Sequence, residues 1–181
     1  MKTFHSVQCG LLVLLASFSA SAAEKIEGAF GKKLGDPFDP ATAIGKSKLS
    51  DGTPMYQFSP EKGFRSFTKY YVLITPTTQK IYCIWGTGDV ASTEIGKKEQ
   101  AVVMELLKEK YGVAEKPGLF DDLEDARRVD QGDRYILSKI SGLDGLEKVK
   151  MDLRYYDKDL KKLAEKERIA GETKKIDKGG L

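Results

Sequence analysis

Apolar and polar positions follow two different periods along the chain. Phe67–Thr75 and Lys80–Trp85 are dense in β-branched and aromatic residues, and each reads as a strand. A short polar loop, Thr75 to Gln79, joins them and suits an antiparallel hairpin. Period-two alternation puts Tyr71, Leu73 and Thr75 on one face and Tyr70, Val72 and Ile74 on the other. In the partner run, Ile81, Cys83 and Trp85 share a face opposite Tyr82 and Ile84. Both faces of this hairpin are apolar or aromatic. A sheet with one solvated face should alternate cleanly with polar residues. The pattern therefore demands either cover on both faces or a binding surface on one.

Later runs repeat the order. Arg134–Ser141 reads as a strand. Lys148–Tyr156 alternates, with Val149, Met151, Leu153 and Tyr155 on one face and Lys148, Lys150, Asp152 and Arg154 on the other. Met55–Ser59 is a weaker strand that ends at Pro60.

From about Glu99 the period becomes helical. Val102, Val103, Leu106, Leu107 and Tyr111 form one stripe that Gly112 should stop. A second helix is predicted after Asp157, a good N-cap, with Leu160, Leu163, Ala164 and Glu167 inward and Gly171 as its end. Asp121–Arg128, within a mostly polar stretch, suggests a short helix.

The order is strand, strand, helix, twice over. It predicts an α+β fold: an antiparallel sheet with helices packed on one face, as two β-β-α units in tandem. Residue identity between the halves does not by itself establish a duplication.

The ends change the picture. Residues 1–23, MKTFHSVQCGLLVLLASFSASAA, have a basic start at Lys2, an uncharged apolar run from Gly10 to Phe18, and Ala20-Ser21-Ala22 as an A-x-A cleavage pattern. This reads as a signal peptide, too short to span a bilayer, with cleavage after Ala22 or Ala23. Cys9 precedes the apolar run, where a lipid-anchoring cysteine would follow it. Segment 24–52 is punctuated by Gly28, Gly31, Gly35, Pro37 and Pro40 and reads as irregular, with Phe30, Leu34 and Phe38 as anchors. Residues 53–171 form the expected single domain, and 172–181 a flexible tail.

Excision of the leader decides much of the chemistry. The only histidine, His5, leaves with it, and Cys83 stays as the one cysteine. That excludes a Ser-His-Asp triad, a histidine or thiolate zinc site, a CxxC pair and an internal disulfide. Losing Lys2 takes the formal charge from +3 to +2, too balanced for a nucleic-acid binder. No further long apolar run follows, so no transmembrane segment is expected after removal of the leader. A disulfide-free mature chain with a short leader points to a bacterial periplasmic or secreted protein.

Candidate chemistry is sparse. The glycine–lysine pieces GAFGKK and IGKS lack the spacing of a phosphate loop. Asp121, Asp122, Glu124 and Asp125 are carboxylates that could serve a glycosidase, but they sit in a charge-rich stretch beside Arg127 and Arg128 that reads as solvated. Asp130 and Asp133 in VDQGDR lack the frame of a calcium loop. Cys83, mid-strand with no adjacent base, reads as a buried and inert thiol. Lysines on the last helix and tail give a basic face interspersed with acids, which reads as solvated. No cofactor or metal is implied.

The aromatic residues around the first hairpin are the densest binding candidates. Tyr70, Tyr82 and Trp85 are the named binding residues, although alternation splits them between faces. The expectation is a non-enzymatic binding or interaction module of the bacterial cell envelope, with an envelope protein or envelope component as partner. A carboxylate-dependent envelope enzyme and a small-ligand carrier with an aromatic pocket are the alternatives.

Overall fold

Strand pairing joins both halves of the chain into one antiparallel sheet. The structure is a computed structural model that describes residues 23–112, 115–116, 125–142, 145 and 148–176. A two-stranded hairpin, β1 (Gly28–Ala29) and β2 (Lys32–Lys33), comes first. The main sheet then takes β3 (Gly45–Lys48), β4 (Pro54–Gln57), β5 (Lys69–Ile74) and β6 (Ile81–Val90). Helix α1 (Thr93–Tyr111) follows. The second half adds β7 (Glu115–Lys116), β8 (Ala126–Gln131), β9 (Arg134–Ser141) and β10 (Val149–Asp157), then helix α2 (Lys158–Ile176). Among the described residues the spatial order is β3-β4-β5-β6-β10-β9-β8-β7, every neighbouring pair antiparallel. The last strand of each half, β6 or β10, lies at the centre.

The expected α+β class with an antiparallel sheet is what the structure has, and the β-β-α order occurs in both halves. The helices, however, do not share a face. On one face, Val103, Met104, Leu107 and Tyr111 of α1 pack in a single core with Val72, Ile84, Ile136, Met151 and Tyr155. On the other, Leu160 and Ala164 of α2 pack with Leu73, Cys83, Tyr135 and Tyr156. The reason is the two-sided apolar character of β5 and β6, which leaves both faces to be covered. A two-fold rotation normal to the sheet relates β6 to β10 but cannot carry α1 onto α2. The halves thus share their strand order without sharing the placement of their helices.

The α1 face has a second cover. Segment 24–52, read from sequence as irregular, supplies β1, β2, a 3-10 turn at Pro40–Thr42, and β3 of the main sheet. Its Ile26, Leu34 and Phe38 join the α1-side core as the anchors the sequence suggested for the last two. Phe30, at the tip of the β1–β2 hairpin, has φ +57° and its ring lies 4.8 Å from that of Tyr70. A left-handed backbone is costly for a bulky residue, so ring packing must hold it there.

Several boundaries differ from the sequence reading. Strand β6 does not stop at Trp85 but continues through Gly86-Thr87-Gly88 to Val90. A Cβ on Gly88 would lie 1.9 Å from the Ser66 carbonyl oxygen, so these glycines let the segment before β5 lie directly on the strand. α1 begins at Thr93, six residues before Glu99, capped by the Ser92 hydroxyl, which accepts from the Ile95 N–H at 3.2 Å. Its end at Gly112, with φ +62°, is as expected. Of the expected inward stripe, Val103, Leu107 and Tyr111 are buried as read. Val102 and Leu106 are exposed, and Gly96, Gln100 and Met104 take the other inward positions. Residues 126–128, assigned to a short helix, lie in β8. α2 passes Gly171 and runs to Ile176. Among the described residues, no helix is long and apolar enough to cross a membrane. Residues 1–22 of the expected leader and 177–181 of the expected tail lie outside the described residues.

Candidate functional site

The α2 face of the sheet is a grid whose rows can be read directly from the pairing register. One row runs Leu73, Cys83, Tyr156, Tyr135, Asp130 across β5, β6, β10, β9 and β8. α2 covers it. Leu160 and Ala164 pack on it, and the Lys161 ammonium lies 5.1 Å from the Tyr156 ring centre. The Tyr135 and Tyr156 rings stack at 4.8 Å. The helix is pinned at both ends of this contact. Asp157 caps it by accepting from the Leu160 N–H at 3.0 Å, and a Glu167 carboxylate oxygen accepts from the Thr77 N–H at 2.7 Å. Asp130 is held by Arg128, whose Nη2 donates at 2.9 Å, and by Lys158, whose ammonium lies 2.8 Å away. Burial alone would raise the Asp130 carboxyl. These two cations outweigh it and hold the group below the usual carboxylate range.

The next row is Gln57, Tyr71, Trp85, Arg154, Leu137 and Arg128, in unbroken register across β4, β5, β6, β10, β9 and β8. All six are half-buried, leaving part of each side chain at the surface. The Tyr71 and Trp85 rings sit 5.7 Å apart. Arg154 lies 3.9 Å over the Trp85 ring, and Arg128 lies 3.9 Å over that of Tyr135. Both guanidinium–ring contacts fall well inside the cation–π range.

A polar row follows: Lys69, Thr87, Asp152, Lys139, Ala126. Asp152 is only 5% exposed and accepts from Arg154 Nη2 at 2.7 Å. Where the two rows meet, three buried polar atoms have no hydrogen-bond partner among the described residues: Trp85 Nε1, Arg154 Nε and Asp152 Oδ1. Buried donors and acceptors are nearly always paired in folded proteins, so three together are notable.

The sequence-named binding residues fall in three different places. Trp85 is in the aromatic–arginine row. Tyr70 is on the α1 face, 5% exposed, its hydroxyl accepting from the Phe64 N–H at 2.8 Å and facing the Phe64 and Phe67 carbonyls, each at 3.2 Å. Tyr82 is on the α2 side, not on the face of Ile84. The register shifts between Leu73 and Ile74, so that Ile74 pairs with Ile81. This bulge sends Ile81 into the α1-side core and Tyr82 into the α2-side one, reversing the alternation expected from sequence. Tyr71 belongs to the aromatic candidates of the first hairpin but not to the three named residues, whereas Arg154 and Arg128 escaped the sequence reading as binding residues. Tyr71 was identifiable as the face-mate of Leu73. The arginines were hidden because the pairing of β10 with β6 is not written in local periodicity.

Cys83 is fully buried, and burial pushes its thiol up to about 12. At neutral pH it is therefore a packed, protonated side chain rather than a nucleophile. Of the carboxylates considered from sequence, Asp121, Asp122 and Glu124 lie outside the described residues. Asp125 pairs with Lys97 at 2.9 Å. Comparison of the chain with protein-family models, with curated proteins and with solved structures finds no match.

Proposed function

We propose that this protein is a non-enzymatic binding module of the bacterial cell envelope, periplasmic or secreted, that docks a protein or envelope component on the uncovered part of its α2-side sheet face. The observation that carries this reading is the unbroken row Tyr71–Trp85–Arg154–Leu137–Arg128 beside α2. Tyrosine, tryptophan and arginine are the side chains that most often dominate interface energetics. A sheet face carrying them at regular spacing, on a rigid scaffold, is pre-organised for contact. Trp85 Nε1, Arg154 Nε and Asp152 Oδ1, unpaired among the described residues, support the reading further, since the two N–H groups can donate to a partner and the carboxylate oxygen can accept from it as neighbouring side chains adjust. The leader-like residues 1–23 support the location, and the near-balanced charge favours a protein or envelope partner over nucleic acid.

The test is capture from an envelope extract by the tagged chain beginning at Ala23, against Trp85→Ala and Tyr71→Ala variants checked for folding. One partner retained by wild type and lost by both folded variants supports the face. Equal recovery by all three removes it as the interface.

A further inference from the structure

A second feature of the α2 side stands apart from the aromatic–arginine row. Beyond the buried contact of Ala164, the helix leaves a cleft of about 580 Å³ against the β3–β4 and β5–β6 turns. That size lies within the range of small-ligand sites. Its apolar lining includes Tyr56, Ile74, Tyr82 and Ala164. Tyr82 reaches it only because of the β-bulge at the end of β5, a device that often re-aims a side chain toward a site.

One cation on the rim is uncommitted. Arg168 is half-buried and makes no hydrogen bond or ion pair within the described residues. Asp51 also lines the cleft; its carboxyl is lowered first by the Thr53 N–H, which donates at 2.9 Å, and to a lesser degree by the nearby Arg168. Glu167 is likewise committed to Thr77. Glu165 and Glu172 also line the cleft, one turn either side of Arg168, and compete for it together with Asp51.

We propose that this cleft binds a single-chain amphiphile, its apolar tail on Tyr82, Ile74 and Ala164 and its carboxylate head on the Arg168 guanidinium. A guanidinium fork matches a carboxylate in a bidentate pair. A phosphate dianion fits less well, because Glu165 and Glu172 repel the second charge. The site does not depend on the sheet-face reading, and either can fail alone.

Titration calorimetry of the chain from Ala23 with dodecanoate, kept below its micelle concentration, and with dodecanol as neutral control tests the site. Dodecanoate should bind about three- to fivefold tighter than dodecanol. Arg168→Gln should bring dodecanoate down to the affinity of dodecanol and leave dodecanol unchanged. Arg168→Lys should restore part of the preference, and Glu172→Gln should raise dodecanoate affinity. Circular dichroism and Tm establish that each variant folds. Equal affinity of wild type for the two probes, no binding of either, or a preference that survives Arg168→Gln would overturn the proposal.

Discussion

Arg154 and Trp85 face each other across the centre of the sheet, and the guanidinium lies 3.9 Å over the indole ring. The same guanidinium holds the buried Asp152 at 2.7 Å. It therefore links the aromatic row to the polar one. Two consequences can be separated by mutation. A double-mutant cycle with Trp85→Leu and Arg154→Met should show a coupling of about 1 kcal/mol by urea unfolding. Arg154→Met alone should cost more, about 3 kcal/mol, because it strands a buried carboxylate. Adding Asp152→Asn to Arg154→Met should recover part of that loss. A coupling of zero would mean that ring and guanidinium are merely adjacent.

Tyr70 and Tyr71 are neighbours in sequence with opposite duties. Tyr70→Phe removes the acceptor of the Phe64 N–H and should destabilise by about 1–2 kcal/mol. Tyr71 makes its ring contact at the half-buried row, so Tyr71→Phe should stay within about 0.5 kcal/mol of wild type. Partner capture should respond the other way, falling with Tyr71→Ala and holding with Tyr70→Phe. Loss of capture in a fully stable Tyr70→Phe protein would move the interface to the α1 face.

How much of this was legible in the sequence depends on the range of the interaction. β9 was read to the residue, and β10 to within one, because alternation is a local signal. The face of Val149, Met151, Leu153 and Tyr155 was right for the same reason, and all four lie in the α1-side core. The position of Tyr82 was not legible, because it depends on a one-residue register shift between two strands. On α1, Val103, Leu107 and Tyr111 face inward as expected, whereas Val102 and Leu106 do not, and their equal apolarity hid the difference. Only the surface against which the helix packs chooses between the two stripes. Small and polar residues at the contact, Gly96 and Gln100, gave no hydrophobic signal, although Gln100 is buried and donates to the Asp125 carbonyl at 2.9 Å. The aromatic–arginine row required the β6–β10 pairing, a long-range fact.

The anchoring of α2 should be sensitive to acid. Asp130 has its carboxyl lowered by Arg128 and Lys158 against the opposing effect of burial. A group with a folded value below its unfolded one stabilises the fold above the unfolded value and loses that contribution as pH falls through the folded one. For Asp130 the reference is 3.8. The stability advantage of wild type over Asp130→Asn should therefore be constant above about pH 5 and shrink on descent toward pH 3. Urea midpoints across that range measure it. A difference independent of pH would show that the two cations do not act on this carboxylate.

Gly88 offers the sharpest test of how β6 and the segment before β5 are joined. The Thr68 N–H donates to the Thr87 carbonyl at 2.9 Å, and Ser66 donates through its hydroxyl to Glu99 of α1. The loop is thus bonded both to the strand and to the helix beside it. A methyl group on Gly88 would meet the Ser66 carbonyl oxygen at 1.9 Å, which is backbone and has little room to move. On Gly86 the nearest atom is Phe67 Cδ2 at 2.9 Å, a side chain that can tilt. Gly88→Ala should accordingly cost about 3 kcal/mol, and Gly86→Ala about 1–2 kcal/mol. Gly88→Ala should also raise the exchange rate of the Phe67 and Thr68 amides, which the displaced loop would expose. Equal penalties for the two variants, with no change in exchange at Thr68, would mean that the loop yields to the methyl group without leaving the strand.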